Sequence, residues 1–157
     1  MKKEKETMKK ENMNDKGFSL VELIIVIAIM AILIVVLAPQ YLKYVERSRN
    51  STDMQNVRTI MTAVETYAAD PQATLAIGSS QFTFTVNSTS ISSSGDNAAN
   101  QAVIDAGLVT SFPSNDIKCV SKSKWSDYKI KGTLQSSGAI KWEFEPAALS
   151  NAMKGNS

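Results

Sequence analysis

An uninterrupted apolar run from Phe18 to Ala38 is the feature that most restricts how this chain can fold. Of its 21 residues only Ser19 and Glu22 are polar. As an α-helix the run would extend about 31 Å, which matches the hydrocarbon thickness of a bilayer. Because no polar side chain follows Glu22 in the run, a soluble amphipathic helix is excluded. The run therefore predicts a helix that enters a membrane.

The residues on either side of the run indicate its orientation and processing. Residues 1–17 contain six Lys and four acidic residues and no apolar residue except Met, so they cannot bury enough surface to fold. Basic residues ahead of an apolar run stay in the cytoplasm, which places the C-terminal part outside. An ordinary secretory signal is disfavoured, because its cleavage site would fall at Ala38, directly before Pro39. An uncleaved signal anchor is the alternative.

Helical periodicity continues after Pro39, a residue expected to bend or loosen the helix by removing one backbone donor. Asp70-Pro71 is a plausible stop, so we predict one helix of about 50 residues, apolar all round in its first half and one-sided in its second. The apolar stripe consists of Val57, Ile60, Met61, Val64 and Tyr67. The polar surface is assigned to Lys43, Glu46, Arg47, Arg49, Asp53, Arg58 and Glu65.

Beyond Pro71 the pattern predicts a small β domain. Residues 81–86 alternate as a half-buried strand, and residues 87–100 are predicted to be a loop rich in Ser, Thr and Asn. Residues 101–107 predict a short helix capped by Gly107, and 127–135 with 139–145 predict a hairpin. The fold class is therefore α+β, a long N-terminal helix packed against a small antiparallel sheet. The hairpin side chains expected to face the helix are Tyr128, Ile130, Leu134, Ile140, Trp142 and Phe144.

The start of the apolar run, Lys16-Gly17-Phe18-Ser19-Leu20-Val21-Glu22, resembles the prepilin signal of type IV pilins and pseudopilins. The resemblance implies that a membrane-embedded aspartic peptidase cleaves between Gly17 and Phe18 and methylates the new N-terminus on Phe18. It also implies that Glu22 is the acidic residue used in assembly and that Pro39 marks a helix kink. The implied organisation is a cleaved leader (1–17), a transmembrane and filament-core helix (18–38), an amphipathic half-helix (39–70) and a globular head (71–157).

Glu22 also has a physical interpretation of its own. A carboxylate in hydrocarbon costs about 2.5–3.5 kcal/mol on insertion scales, and less near the interface. It lies one helical turn from Phe18, so the terminal ammonium of a neighbouring subunit could pair with it at low dielectric and set the axial stagger. The alternative is an interfacial Glu tolerated because its side chain snorkels to water.

Two departures from the family pattern carry consequences. Ala31 stands where the family often has Gly, so the extent of helix melting at residues 31–39 on assembly is left open. Cys119 is the only cysteine, so the disulfide that closes the C-terminal loop in many pilins is absent. We expect Cys119 to be a small buried residue, and its isolation leans weakly toward a Gram-positive source.

Weaker patterns concern ligands. Five lysines lie around Trp125 and could form an anionic-ligand patch for DNA; the alternative is solvated lysines on exposed strand edges. They are Lys118, Lys122, Lys124, Lys129 and Lys131. Several oxygen-bearing residues could bind calcium, but no ordered ligand spacing is present and turn chemistry is favoured. They are Asp96, Asn97, Asp105, Asn115 and Asp116.

The functional prediction is a structural subunit of a type IV pilus-like filament, not an enzyme and without a cofactor, because no nucleophile–base pair or metal cluster occurs. Expected partners are copies of the chain, the membrane, the prepilin peptidase and N-methyltransferase, the assembly platform protein and ATPase, and minor pilins. The protein should reside in the cytoplasmic membrane and then in the extracellular pilus. The alternatives are a pseudopilin of type II secretion or DNA uptake, and a membrane-anchored adhesion domain that does not polymerise.

Overall fold

The computed structural model describes residues 18–72 and 81–155, so the predicted leader lies outside the described residues. The chain divides after Gln40 into two compact units, and the second contains the whole sheet. The combination of one long helix with an antiparallel sheet confirms the α+β class. The elements are α1 (Leu20–Ala68), β1 (Gln81–Val86), β2 (Ile91–Gly95), α2 (Asn97–Asp105), β3 (Tyr128–Leu134), β4 (Ile140–Glu145) and α3 (Ala147–Met153).

Helix α1 has 49 residues and agrees with the predicted length. It ends at Ala68, just before Asp70, whose carboxylate accepts the Gln72 N–H at 2.9 Å in a turn. In the C-terminal unit the helix is one-sided as predicted. Val57, Ile60 and Val64 are fully buried, and Met61 and Tyr67 are partly buried against the same core.

The sheet has the strand order β2-β1-β3-β4, and all neighbours are antiparallel. The predicted hairpin is confirmed as β3 and β4, with Ile130 opposite Phe144 and Leu134 opposite Ile140. Burial alternates strictly along β3, since one face of the strand packs on the core and the other faces solvent. This register places the apolar side chains of both strands on the face that packs against the core.

The core lies between this sheet face, the buried stripe of α1, and α2. Phe82 and Phe84 of β1 pack there with their ring centroids 5.7 Å apart. Gly132 on β3 is required by this packing, because a Cβ at that position would lie 2.1 Å from the ring of Phe82. A larger residue would displace an aromatic ring at the centre of the core.

The prediction of a loop at residues 87–100 is wrong. Ser-rich residues form β2 because an edge strand is held by its backbone hydrogen bonds, and Ile91 anchors it in the core. Helix α2 begins at Asn97, earlier than predicted, because Asp96 is its N-cap and accepts the Ala98 N–H at 2.8 Å. Its small alanines pack closely on the core.

The C-terminal end of α2 agrees with the sequence. Gly107 adopts a φ of +71°, and its N–H donates to the Ile104 carbonyl at 2.8 Å. The Leu108 N–H donates to the Val103 carbonyl at 3.2 Å, which completes a Schellman motif. The predicted capping role of Gly107 is confirmed. Helix α3 was not predicted; it packs Leu149 into the core.

Candidate functional site

The N-terminal unit presents apolar side chains on every side of α1. All of its described residues, 18–40, are exposed, and their only charged side chain is Glu22. By length and composition, this helix is able to cross a membrane. An apolar surface of this extent requires either lipid or other apolar helices around it.

Glu22 caps the beginning of this helix. The Ser19 backbone N–H donates to Glu22 Oε2 at 2.9 Å, and the Val21 N–H donates to Ser19 Oγ at 3.3 Å. This reciprocal pair is a capping box. Phe18 precedes the helix and is 91% exposed, whereas Gly17, the other residue of the predicted cleavage site, lies outside the described residues. The Ser-x-x-Glu spacing of residues 19–22 is the sequence signature of this capping box.

Pro39 lies inside α1 and does not end it. The helix continues through residues 31–39 and on to Ala68. Residues 31–39 are therefore helical in the single subunit, and the extent of their melting in the filament is a separate question. Because proline has no N–H, the carbonyl four residues earlier lacks its usual helical donor. The chain therefore tolerates one missing hydrogen bond at this point while remaining helical.

In the C-terminal unit the carboxylate of Asp53 holds a segment that has no regular secondary structure. We call this segment, residues 119–125, the carboxylate-held loop. Oδ1 of Asp53 accepts the Val120 N–H at 2.9 Å, and Oδ2 accepts the Ser121 N–H and the Trp125 indole N–H, each at 2.9 Å. The assignment of Asp53 to the polar surface of α1 is wrong: its exposure is 0%, because these donors replace water.

Glu46 holds the same loop from a position two helical turns earlier. Its Oε1 accepts the Lys122 N–H at 2.6 Å, the Ser123 N–H at 2.8 Å and the Ser121 hydroxyl at 3.0 Å. These hydrogen bonds, those from the two backbone amides above all, lower the pKa of Glu46 from 4.5 to about 2. Its Oε2 lies 3.4 Å from Arg49. Two carboxylates of one helix therefore fix the loop along its length.

The structure divides the predicted lysine patch into two groups. Lys129 and Lys131 lie on the solvent face of β3 and both pair with Glu145 of β4, Lys129 at 3.9 Å. Because β3 is a central strand, the interpretation of these two as edge lysines is wrong. Lys122 and Lys124 belong to the carboxylate-held loop and are exposed. Lys118, just before the loop, is exposed as well.

The carboxylates considered as calcium ligands have capping and turn roles. Asp96 caps α2, Asp105 accepts the Gln101 side-chain amide at 2.6 Å, and Asp116 accepts the Ser114 hydroxyl at 2.5 Å. Within residues 18–72 and 81–155 no group of three acidic or cysteine side chains is arranged to hold a metal ion. These contacts account for the positions of the three carboxylates.

Comparison with known proteins identifies the family. A family model described as "Prokaryotic N-terminal methylation motif" matches residues 12–38. A Type IV major fimbrial protein FimA of Dichelobacter nodosus is 33% identical over 135 residues, 85% of this chain and 83% of that protein. The chain belongs to the type IV pilin family. A second FimA of this organism is 46% identical to the pilin over 55 residues, 35% of each chain. No solved structure matches the pilin significantly.

Membership in this family assigns the pilin a structural role. It is a subunit of a homo-oligomeric filament, and it is processed by a prepilin peptidase. The apolar helix anchors it in the membrane before it becomes part of a surface pilus. The exposed apolar surface of residues 18–40 suits both states, because lipid tails and neighbouring apolar helices offer equally apolar surroundings.

Cys119 of the pilin is buried, as predicted. Its thiol donates to Asp53 Oδ2 at 3.5 Å. Burial, with the adjacent Asp53 carboxylate, raises the pKa of this thiol to about 12, so it stays protonated and unreactive at neutral pH. With one cysteine in the chain no intrachain disulfide can form, and the contacts of Asp53 and Glu46 hold the loop without one.

Lowering the pH should weaken the stabilisation that the Glu46 carboxylate gives to the carboxylate-held loop. A carboxylate whose pKa is lowered on folding stabilises the protein above its unfolded pKa, and this contribution is lost as the pH falls through the folded value. For Glu46 we expect the loss between about pH 4.5 and about pH 2. Chemical denaturation of the pilin and of Glu46→Gln at pH 6, 4 and 2.5 measures it. The difference in unfolding free energy between the two proteins should shrink as the pH falls.

Glu145 provides the matched control, because its pKa is also lowered, by Lys131 on the sheet. Glu145→Gln should leave the pH dependence due to Glu46 intact. A difference between the pilin and Glu46→Gln that is the same at all three pH values would contradict the role of the Glu46 charge.

The sequence did contain a signal for both loop-holding residues. Glu46 and Asp53 are seven residues apart, and Asp53 precedes Val57 by four, so both continue the apolar stripe along one face of α1. Charged side chains on a buried stripe indicate a partner inside the fold. The spacing could not predict which groups bond to these carboxylates, because the N–H donors come from about 70 residues later in the chain.

Proposed function

We propose that the pilin is cleaved between Gly17 and Phe18, methylated on Phe18 and polymerised through α1 into a surface pilus. The observation that carries the proposal is the apolar segment 18–40, whose side chains are all exposed and include one charge, Glu22. Such a helix is stable only in lipid or in a bundle of its own kind. Similarity to two major fimbrial proteins favours a pilus subunit over a pseudopilin.

In this proposal Glu22 pairs with the terminal ammonium of Phe18 in a neighbouring subunit. The capping box uses Oε2 of Glu22, and no other described residue bonds to this carboxylate, which offers about four acceptor positions. An ion pair among apolar helices is strong because the surroundings have a low dielectric constant. The pairing would align each new subunit axially with the filament.

Further partners follow from this assembly mechanism. We expect an assembly platform protein and its ATPase to extract the pilin from the membrane, and minor pilins to share its filament. The role is structural and involves no catalysis. By the habit of the family, the lone cysteine leans weakly toward a Gram-positive source.

Processing is tested by mass spectrometry of the N-terminus in cells that contain a prepilin peptidase. We expect a mature chain that begins with methylated Phe18, and an intact chain in cells lacking the enzyme. Gly17→Val, which places a branched side chain beside the cleaved bond, should keep the leader, whereas Ser19→Ala should be cut. A leader retained by the wild-type chain in cells with the peptidase would refute the proposal.

A further inference from the structure

Positive charge is concentrated at the end of the C-terminal unit that follows the apolar run. Residues 41–53 and 118–127 together contain six basic and three acidic residues, a net charge of +3. The remaining residues from Phe18 onward contain five basic and eight acidic residues, a net charge of −3. The chain from Phe18 is neutral as a whole, so the charge is separated rather than in excess.

Five of these six basic residues have no carboxylate partner among the described residues. Glu46 is occupied by loop donors and by Arg49, and Asp53 is buried. On the sheet, by contrast, the lysines are paired with Glu143 or Glu145. The unpaired residues are Lys43, Arg47, Lys118, Lys122 and Lys124. We call the four that lie on α1 or in the carboxylate-held loop, Lys43, Arg47, Lys122 and Lys124, the membrane-proximal cations.

The carboxylate-held loop brings these cations together from two distant parts of the sequence. Because the Lys122 and Ser123 amides bond to Glu46, the loop is fixed at the level of Glu46 along α1. Ser123 lines one shallow surface depression together with Tyr41 and Lys43 of α1. The loop that carries Lys122 and Lys124 therefore lies beside this part of α1, although about 80 residues separate the two segments in the chain.

Two tyrosines indicate where this level lies relative to the membrane. Tyr41 and Tyr44 follow directly after the apolar run and are 67% and 66% exposed, as expected for side chains at a membrane interface. Arg47 lies 5.9 Å from the Tyr44 ring centroid. Glu46 is five residues after Tyr41, about 7.5 Å along a helix. That distance is within the Debye length of about 8 Å at physiological salt, so charges at this level interact with lipid headgroups.

We infer that the membrane-proximal cations bind the phosphates of anionic phospholipid headgroups on the outer side of the membrane. The inference rests on membrane anchoring and not on filament assembly. Each Lys or Arg near an anionic surface strengthens binding roughly fivefold, and the Arg47 guanidinium can bind a phosphate bidentately. Lipid would neutralise these side chains until the subunit leaves the membrane for the filament.

The experiment measures which lipids the purified full chain retains. The protein is placed in nanodiscs with equal amounts of phosphatidylglycerol and phosphatidylcholine, and bound lipids are counted by native mass spectrometry. We expect a preference for phosphatidylglycerol that weakens with salt. Lys122→Gln/Lys124→Gln should reduce this preference severalfold, because the loop is held at the headgroup level. Lys43→Gln/Arg47→Gln should reduce it similarly.

The matched control is Lys129→Gln/Lys131→Gln, which removes the same charge from the sheet and should leave the preference unchanged. A wild-type preference in the Lys122→Gln/Lys124→Gln variant would overturn the inference, because only the helix would then contact lipid. An equal loss in the sheet control would overturn it as well, since net charge alone would be responsible. Inorganic phosphate added at constant ionic strength tests for a small-anion site. Loss of bound phosphatidylglycerol under this condition would overturn the inference, because free phosphate would then compete for the same cations. None of these outcomes depends on cleavage or polymerisation.

Discussion

Asp53→Ala should destabilise the C-terminal unit by about 3 kcal/mol or more, because it removes the acceptor that three N–H donors share. The substitution leaves the amides of Val120 and Ser121 and the indole N–H of Trp125 without the carboxylate that accepts them. A buried donor left without an acceptor costs about 1–3 kcal/mol. Denaturation of the full chain in mild detergent, followed by tryptophan fluorescence, measures the loss.

Two further variants make this result specific. Gln55→Ala removes an exposed side chain of the same helix and should change the unfolding free energy by no more than about 0.5 kcal/mol. Asp53→Asn keeps the shape but presents an amide NH₂ to a group of donors, so it should also be destabilising. If Asp53→Ala unfolds like Gln55→Ala, the loop is not held by this carboxylate.

Glu22→Gln should insert into the membrane normally but form about tenfold fewer filaments, because a neighbour's terminal ammonium would be left unpaired among apolar helices and a loss of about 1.4 kcal/mol already changes association tenfold. Glutamine can still accept the Ser19 N–H in the capping box, so the helix beginning is preserved. What the substitution removes is the charge that we propose pairs with Phe18 of a neighbour. Electron microscopy and the sheared surface fraction measure assembly.

Ser19→Ala is the control that separates capping from pairing. It removes the hydroxyl that accepts the Val21 N–H and keeps the Glu22 charge, so it should assemble close to wild type. Normal filaments in Glu22→Gln would show that the charge is dispensable. Equally poor assembly of Ser19→Ala, which keeps the Glu22 charge, would contradict the assignment of the defect to the lost ion pair.

Local patterns predicted those parts of the fold whose residues are close in sequence. The period of α1 identified the buried stripe, because helix geometry depends only on neighbouring residues. Alternation around Gly138 identified the hairpin of β3 and β4 for the same reason. The serine-rich stretch was misinterpreted, because β2 is stabilised by the backbone of β1 and has little propensity of its own.

The candidate site was predictable to different extents in the two units. In the N-terminal unit, the seven residues from Lys16 to Glu22 suffice to propose processing, because a peptidase recognises a local segment. In the C-terminal unit, the sequence alone grouped five lysines into one patch, but the structure separates them. Lys129 and Lys131 have carboxylate partners on the neighbouring strand, whereas Lys122 and Lys124 belong to the loop that Glu46 holds against α1.

The sequence by itself determined that the chain enters a membrane through an apolar helix, that the helix has a buried stripe beyond Pro39, and that its beginning matches the methylation motif. These properties follow from composition and short-range spacing. Only the tertiary structure decided that Asp53 is buried, that Glu46 and Asp53 hold residues 119–125, and which lysines are left unpaired. The reason is that a carboxylate's environment depends on the donors that surround it, and here those donors come from residues about 70 positions away.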